Sequence, residues 1–231
     1  MRLSIIVPVY NEEESIISVI KKVNRQNLSG IEKELIIVND ASTDNTRKSL
    51  EKIKSRKTII LHHKNNQGKG AAIRTGLMKA TGDILLIQDA DMEYDPKEYK
   101  KLLNPIIENR AKVVYGSRIE AIKKNFDKMY KVHYFGNVFL TKLTNLLYAA
   151  RITDMETGYK VMKKEVMASI KLRARRFDFE PEITSKILKK GYKIYEVPID
   201  FHGRKFSEGK KITWRDGMKA AFYLVRYRFF D

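Results

Sequence analysis

Two aspartates one residue apart, Asp89 and Asp91, close the run "DILLIQDAD". Side chains two apart on an extended segment share a face, and a carboxylate taken out of water without a partner costs several kcal/mol or more. Such a pair calls for a cation. Carboxylate oxygens unaccompanied by His or Cys suit Mg²⁺ or Mn²⁺, which bind through one or two carboxylates and complete their shell with substrate phosphates. Glu93 offers a third oxygen. The competing reading makes one aspartate the cap of the next helix and leaves the other in water. Asp95, immediately before Pro96, is the more natural cap. Asp40 ends another apolar run, where it suits a nucleobase N–H or a ribose hydroxyl, or else caps the helix expected from Ser42. "NQGKGAA" lacks the GxxxxGK[ST] spacing of an NTPase loop, and no GxGxxG follows the first strand, which argues against a dinucleotide-binding oxidoreductase. His62 and His63 are adjacent on a strand, face opposite sides and make a poor metal pair.

The elements that must position these groups follow from hydrophobic period. Residues 3–9, 34–40, 58–63, 83–89 and 112–117 are short β-branched-rich runs of strand length. Helical segments separate them: Ile16, Ile20 and Val23 share a face, "DNTRKSLEKI" follows Ser42, "GKGAAIRTGLMKA" is closed by Gly82, and Pro96 opens a fourth helix. Alternation of this kind predicts an α/β fold, a Rossmann-like and mainly parallel sheet flanked by helices. In such sheets ligands bind outside the carboxyl ends of the strands. Tyr10-Asn11-Glu12, Asn39-Asp40, Gln88 to Asp91 and Ser117-Arg118 all fall there, on one edge. Past residue 118 the alternation stops. A basic stretch, "KKNFDKMYKVH", precedes an amphipathic helix with Phe135, Val138, Phe139, Leu143, Leu146 and Leu147 on one side. "TDMETGYKVM" reads as turn-rich, "FDFEPEITSKIL" starts a helix, "YKIYEVPIDF" is a strand and "HGRKFSEGKK" a basic loop. With no repeat or linker in view, residues 1–212 read as one catalytic domain and 213–231 as a C-terminal amphipathic helix. Its stripe is Trp214, Met218, Ala221, Phe222, Val225 and Phe229, edged by Arg215, Lys219 and Arg226. That pattern fits an interfacial helix, a helix packed on the sheet, or one awaiting a partner chain.

Composition narrows the partners. The 231 residues carry 46 Lys+Arg against 28 Asp+Glu, a net charge of +18, which favours polyanions: nucleic acid, nucleotide phosphates or an anionic membrane face. The basic residues are spread along the whole chain without a nucleic-acid-reading motif, so nucleic acid is not the expected partner. With no cysteine there is neither disulfide nor thiolate metal site. The N-terminal apolar run is too short for a signal peptide and passes into acidic residues. No apolar stretch approaches the roughly 18 residues of a bilayer span; the longest, at 138–150, carries Lys142. The expectation is a soluble or membrane-associated chain.

"SIIVPVYNEE", "IIVNDASTDNT", "NQGKGAAIRTG", "LIQDADMEYDP", "VVYGSR", "DMETGYKVM" and "FDFEPEI", in that order across about residues 3–202, resemble the motifs of family 2 glycosyltransferases. Within the family the likeness is to dolichyl-phosphate mannose synthases and polyprenyl-phosphate glycosyltransferases. The resemblance implies a GT-A fold, a nucleotide-sugar donor of GDP-mannose or UDP-hexose type, Mg²⁺ or Mn²⁺, and inversion at the anomeric carbon. It implies that Pro8, Tyr10, Glu12 and Asp40 line the nucleoside pocket, that Asp91 and Glu93 hold the metal, and that Asp89 contacts the ribose or sugar side. Arg118 would face the acceptor phosphate or the transferring sugar, with Lys128 or Lys131 beside it. On charge alone, Arg204, Lys210 and Lys211 would fold over the donor as a lid, the other reading of "HGRKFSEGKK" being a plain surface loop. Two departures stand out: Asn39 occupies the first position of the usual aspartate pair, and Glu93 replaces a common Gln.

A phosphate acceptor needs cations rather than a general base; a hydroxyl of a cell-surface glycan or glycolipid would need a carboxylate, for which Asp154, Glu180 and Glu182 are the candidates. The expected setting is the cytoplasmic face of a membrane, with polyprenyl or dolichyl phosphate as acceptor and peripheral attachment to lipid or to a membrane partner subunit.

Overall fold

The computed structural model describes residues 1–53, 55, 57–124, 131–204 and 214–230; the side chains of 131–133 and 214–216 are also outside the description. Seven strands form one sheet: β1 (Arg2–Val9), β2 (Glu32–Asn39), β3 (Thr58–His62), β4 (Ile84–Ile87), β5 (Val113–Ser117), β6 (Lys160–Lys163) and β7 (Ile194–Pro198). Their order is β3-β2-β1-β4-β6-β5-β7. Every pair is parallel except those of β6, which runs antiparallel between β4 and β5. Leu3 to Val9 are all buried, as a strand covered on both faces requires.

Helix α1 (Ile16–Arg25) lays Ile16, Val19, Ile20 and Val23 on the sheet, the i, i+3, i+4, i+7 stripe of a surface helix. Helix α2 (Thr46–Glu51) begins later than Ser42, because the Asp44 carboxylate accepts the Thr46 N–H at 3.0 Å and starts the helix there. Helix α3 (Lys69–Lys79) presents Ala72, Ile73 and Gly76 to the sheet, with Gly76 so near Ile6 that a Cβ would overlap it, while Gly70 abuts the Ala174 carbonyl. Asp95 caps the turn at Pro96–Glu98 by accepting the Lys97 N–H, and α4 (Tyr99–Ile107) follows. After β5 come α5 (Ile119–Lys124) and α6 (Lys131–Tyr148); α7 (Lys164–Ala168) follows β6, then α8 (Phe179–Lys189), and α9 (Trp214–Phe229) follows β7. One apolar cluster joins α1 and α4 to one sheet face; a second joins Ile73 of α3, Val166 of α7 and Phe179, Ile183 and Ile187 of α8 to the other.

Two departures from the sequence pattern concern the second half. "TDMETGYKVM" contains a strand, β6. It has only four residues and starts with a lysine, so it carries no visible alternation, yet Lys160, Val161 and Met162 are buried. The apolar side anticipated for α6 packs only in part, through Leu143 and Leu147 against α9. Asn137, Leu140, Thr141 and Thr144 are buried, while Phe135, Phe139 and Leu146 face outward. Among the described residues no helix is long and apolar enough to cross a membrane.

Candidate active site

The loops leaving β1, β2 and β4 meet at the carboxyl edge of the sheet. Each turns through a non-glycine residue in the left-handed region, Asn11 (φ 53°), Ala41 (φ 57°) and Met92 (φ 63°). Such conformations carry strain and persist where neighbours enforce them. The first two loops are stitched together: the Asn11 Oδ1 accepts the Thr43 N–H at 2.8 Å, the Asn39 Oδ1 accepts the Ser42 N–H at 3.0 Å, and the Glu12 N–H donates to Thr46 Oγ1 at 2.9 Å. Pro8 is buried near the carboxyl end of β1 and Tyr10 is partly exposed just beyond it. Asp40 is buried. Its carboxylate accepts the N–H groups of Gln67 (2.9 Å) and Gly68 (2.7 Å) and lies 2.6 Å from His63 Nδ1. It therefore ties the end of β2 to the turn before α3, where Gly68 (φ 96°) passes so close to the Arg175 carbonyl that a Cβ would overlap it.

Gln88, at the end of β4, turns inward rather than toward the edge. Its Oε1 accepts the hydroxyls of Tyr99 and Tyr159, both at 2.8 Å, and its Nε2 donates to the Asp89 carbonyl at 2.9 Å. This buried network fixes where Asp89 and Asp91 begin. Opposite them, Gly158 N–H donates to the Tyr94 hydroxyl at 2.7 Å, and a Cβ at Gly158 would overlap Asp89 Oδ2. Only glycine lets the segment before β6 come this near.

The structure brings Asp89, Asp91, Glu93, Glu12 and Arg204 together. Lys69, from the start of α3, places Nζ 2.9 Å from Asp89 Oδ1 and 3.0 Å from Glu180 Oε1. Burial works against its charge, but the two carboxylates outweigh it and hold the amine well above its ordinary range. Sequence reasoning missed Lys69, whose only signal was a basic residue in "NQGKGAA" following the strand edge. The Arg204 guanidinium spans the cleft: Nη1 and Nη2 donate to Glu12 at 3.2 and 2.7 Å and Nε to the Asp91 carbonyl at 2.8 Å, while its backbone N–H donates to Glu93 Oε1 at 2.7 Å. Asp91 is left electrostatically crowded. Burial, then the charges of Asp89 and Glu93, push its carboxyl up to about 8, against the opposing pull of Arg204.

Among the described residues no three His, Cys, Asp or Glu side chains close on a point as a metal-binding group. Asp89, Asp91 and Glu93 thus do not form a complete cage. The donor set nevertheless fits Mg²⁺ or Mn²⁺ held by one or two carboxylates with phosphate oxygens completing the shell, since the positive charge of Arg204 only partly offsets the crowding of Asp91.

On the β5 side, Arg118 and Asp154 form a buried bidentate pair, Nε to Oδ2 and Nη2 to Oδ1 at 2.7 Å each, and Asn137 of α6 donates to the same carboxylate at 2.8 Å. Burial opposes the charge on Asp154, but Arg118 outweighs it and lowers the carboxyl below its usual range. A carboxylate so held is a poor general base. Glu182 is also occupied, accepting the N–H groups of Arg173 and Ala174 and pairing with Lys186 at 2.9 Å. Glu180 is paired with Lys69.

The carboxylate with an open oxygen is one the sequence did not single out. Glu156 Oε1 is buried and accepts no hydrogen bond among the described residues. Burial and the charge of Glu180 raise this carboxyl to about 7, with Lys160 and Arg118 opposing. Lys160, buried at the start of β6 with its amine over the Tyr115 ring at 4.8 Å, is lowered by burial to about 8. Lys128, Lys210 and Lys211 lie outside the described residues, as does the side chain of Lys131 at the start of α6.

Residues 4–170 match the family model described as glycosyl transferase family 2. The chain is similar to the UDP-N-acetylglucosamine–dolichyl-phosphate N-acetylglucosaminyltransferase of Methanococcus voltae, 31% identical over 96% of this chain and 94% of that one. It is also similar to the dolichol-phosphate mannosyltransferase of Pyrococcus furiosus, 28% identical over 91% of this chain but only 59% of the relative. Among solved structures, glucosyl-3-phosphoglycerate synthase from Mycobacterium tuberculosis in complex with Mn²⁺ and UDP-glucose superposes with a TM-score of 0.71. That match is at 18% identity and covers 98% of this chain and 78% of the other.

Proposed function

We propose, from the premise that this chain belongs to glycosyl transferase family 2 and is a glycosyltransferase with the GT-A fold, that it moves one sugar from a nucleoside-diphosphate sugar to a polyprenyl or dolichyl phosphate, with inversion, at the cytoplasmic face of a membrane. The observation that carries the donor half is the crowding of Asp91 by Asp89 and Glu93 at the carboxyl edge of β4. The acceptor half is supported by the lipid-phosphate acceptors in the names of the relatives from M. voltae and P. furiosus.

Asp91, with Glu93 and Asp89 beside it, would hold Mg²⁺ or Mn²⁺ against the donor diphosphate. When bound, the ion neutralises charge that develops on the leaving nucleoside diphosphate. The chain's own residues do the rest. Glu12, Tyr10, Pro8 and Asp40 bound the nucleoside side, and Arg204 joins Glu12 to the β4 loop across the donor cleft. Lys210 and Lys211, which follow it in sequence, are assigned to the same lid. Lys69 holds Asp89 in place through its ion pair. Arg118 gives Nε and Nη2 to Asp154 and leaves Nη1 to reach an acceptor phosphate; Lys128 and Lys131 are assigned to the same anion. Such an acceptor is already a nucleophile and needs orientation more than deprotonation.

A second reading, transfer to a hydroxyl of a glycan or glycolipid, is favoured by one observation. Glu156, open and raised toward neutrality, has the properties of a general base.

Calorimetric titration of UDP and GDP, with and without Mn²⁺, tests the donor site. One nucleotide should bind in a metal-dependent way, and Asp91→Asn should weaken it by at least about tenfold, or 1.4 kcal/mol. Binding of neither nucleotide would overturn the donor assignment. Transfer to a polyprenyl phosphate but not to the matching polyprenol would support the phosphate acceptor; the reverse preference would select the second reading.

A further inference from the structure

Asp40 is assigned to the nucleoside, yet most of its carboxylate is engaged by the protein itself. Its Oδ1 accepts the Gln67 N–H at 2.9 Å and lies 2.6 Å from His63 Nδ1, while its Oδ2 accepts the Gly68 N–H at 2.7 Å. Carboxylate oxygens only accept, so Nδ1 carries the hydrogen of the His63 contact. A carboxylate offers about four acceptor positions, two on each oxygen. Among the described residues, then, Oδ1 is full and Oδ2 keeps one position. The neighbouring His62 is used differently, its Nδ1 lying 3.1 Å from Asn39 Nδ2.

None of the three donors is free to step aside. A Cβ at Gly68 would overlap the Arg175 carbonyl, and that carbonyl also accepts the Ala71 N–H at 3.0 Å. The turn that carries the Gln67 and Gly68 N–H groups is thus locked. His63 is held at both ends: its backbone N–H donates to the Asn39 carbonyl at 2.9 Å, and its Nε2 lies 2.9 Å from Thr75 Oγ1 on α3. The side chains of His63 and Asp40 are 9% and 3% exposed. A ligand donor brought to Asp40 without an acceptor has little water to turn to, and an unpaired donor costs affinity.

The two candidate bases make different demands on such a group. Uracil presents one N–H, at N3, between two carbonyl oxygens. Guanine presents two donors side by side, the N1–H and an amino N–H, which a carboxylate meets with one position on each oxygen. Asp40 as held by His63 meets the first demand and not the second. Without His63 a position would open on Oδ1 as well, and guanine could be met. We propose that His63 is a positioning residue that fills Oδ1 of Asp40, selects uracil over guanine and so makes the donor a UDP-sugar. The proposal deepens the donor reading above and rests on its placing Asp40 at the nucleoside. The Asp40 N–H donates to the Val9 carbonyl at 2.8 Å, which sets Asp40 beside the start of the Tyr10 loop.

The test is the ratio of dissociation constants for UDP and GDP, measured calorimetrically on the full chain at saturating Mn²⁺. The wild type should bind UDP at least about tenfold more tightly than GDP, because guanine leaves a buried donor unpaired. His63→Leu keeps apolar volume but has no ring N–H, and it should narrow that ratio at least about fivefold. His63→Asn, whose amide can donate to Oδ1 again, should restore it. Thr75→Val removes the anchor at Nε2 and leaves the ring in place; it should narrow the ratio in the same direction. Thr75 is partly exposed, so this variant carries the test where circular dichroism shows that His63→Leu does not fold.

A wild type that binds GDP as tightly as UDP, or more tightly, would overturn the proposal and leave the nucleoside-diphosphate reading standing. So would folded variants that lose affinity for both nucleotides by the same factor, since a purely structural role weakens the two alike. Binding of neither nucleotide to the wild type has a different consequence: the donor reading itself falls, and the proposal falls with it.

Discussion

At Glu156, burial and the neighbouring Glu180 lift a carboxyl from 4.5 to about 7. The native chain then holds a proton that the unfolded chain has already lost between those two values. More protons bound in the folded state means that stability falls as pH rises through the window, by up to about 1.4 kcal/mol per unit. Glu156→Gln cannot ionise, so it should gain on the wild type between pH 5 and pH 8, as read by urea unfolding at the two pH values. Equal pH dependence in both chains would mean that the carboxyl titrates normally and would remove the basis for casting it as a base. The residue was illegible in the sequence because a single Glu in a turn-rich stretch has no periodic partner. Asp154, two positions earlier, attracted attention as a candidate base, but its function is set by Arg118, which keeps it ionised and occupied.

Elements in this protein end where backbone geometry forces them to, and the endings are not all marked by the usual residues. Helix α6 stops at Tyr148, and the next residue, Ala149, is exposed with φ 50°. A left-handed residue after a helix is most often glycine, because any Cβ is strained there. Ala149→Gly should therefore stabilise the protein by about 0.5–1 kcal/mol, seen as a higher denaturant midpoint with an unchanged slope. The same absence of a punctuating glycine hid the end of α6 from sequence reasoning. β6 was hidden for a different reason. Its register between β4 and β5 is fixed by strands about 75 and 50 residues away along the chain, while its own four residues show neither alternation nor turn chemistry. The long buried strands β1 and β2 were legible because burial on both faces writes itself as a continuous apolar run.

For the molecule as a whole, binding and folding are linked. A ligand that binds only the native state adds about 2.7 kcal/mol at a hundred times its dissociation constant, and in a chain of this size each kcal/mol raises the melting temperature by about 2–4 °C. Saturating the preferred nucleoside diphosphate with Mn²⁺ should thus raise the melting temperature by several degrees in differential scanning fluorimetry. Chelation with EDTA should reverse the rise, and Asp91→Asn should show little of it. A shift produced by nucleotide alone, insensitive to EDTA, would separate nucleotide binding from the carboxylates of the β4 loop. The net charge of +18 is a property of the same scale, and it draws polyanions in general.

What the sequence by itself determined is everything written in local period and order: the strand–helix alternation to residue 117, the convergence of polar residues on one sheet edge, and the paired aspartates after β4. Seven ordered motifs carried the family. Tertiary structure alone decided which charges meet. Lys69 and Glu180 are 111 residues apart, Arg204 and Glu12 are 192 apart, and Arg118 and Asp154 are 36 apart. It also decided which side of α6 is inside: the buried side carries Asn137, Thr141 and Thr144 beside Leu140, and their partners at Asp154 and Met155 are set by the fold. Pairing across such separations depends on the folded positions of whole elements, and no spacing along the chain encodes it.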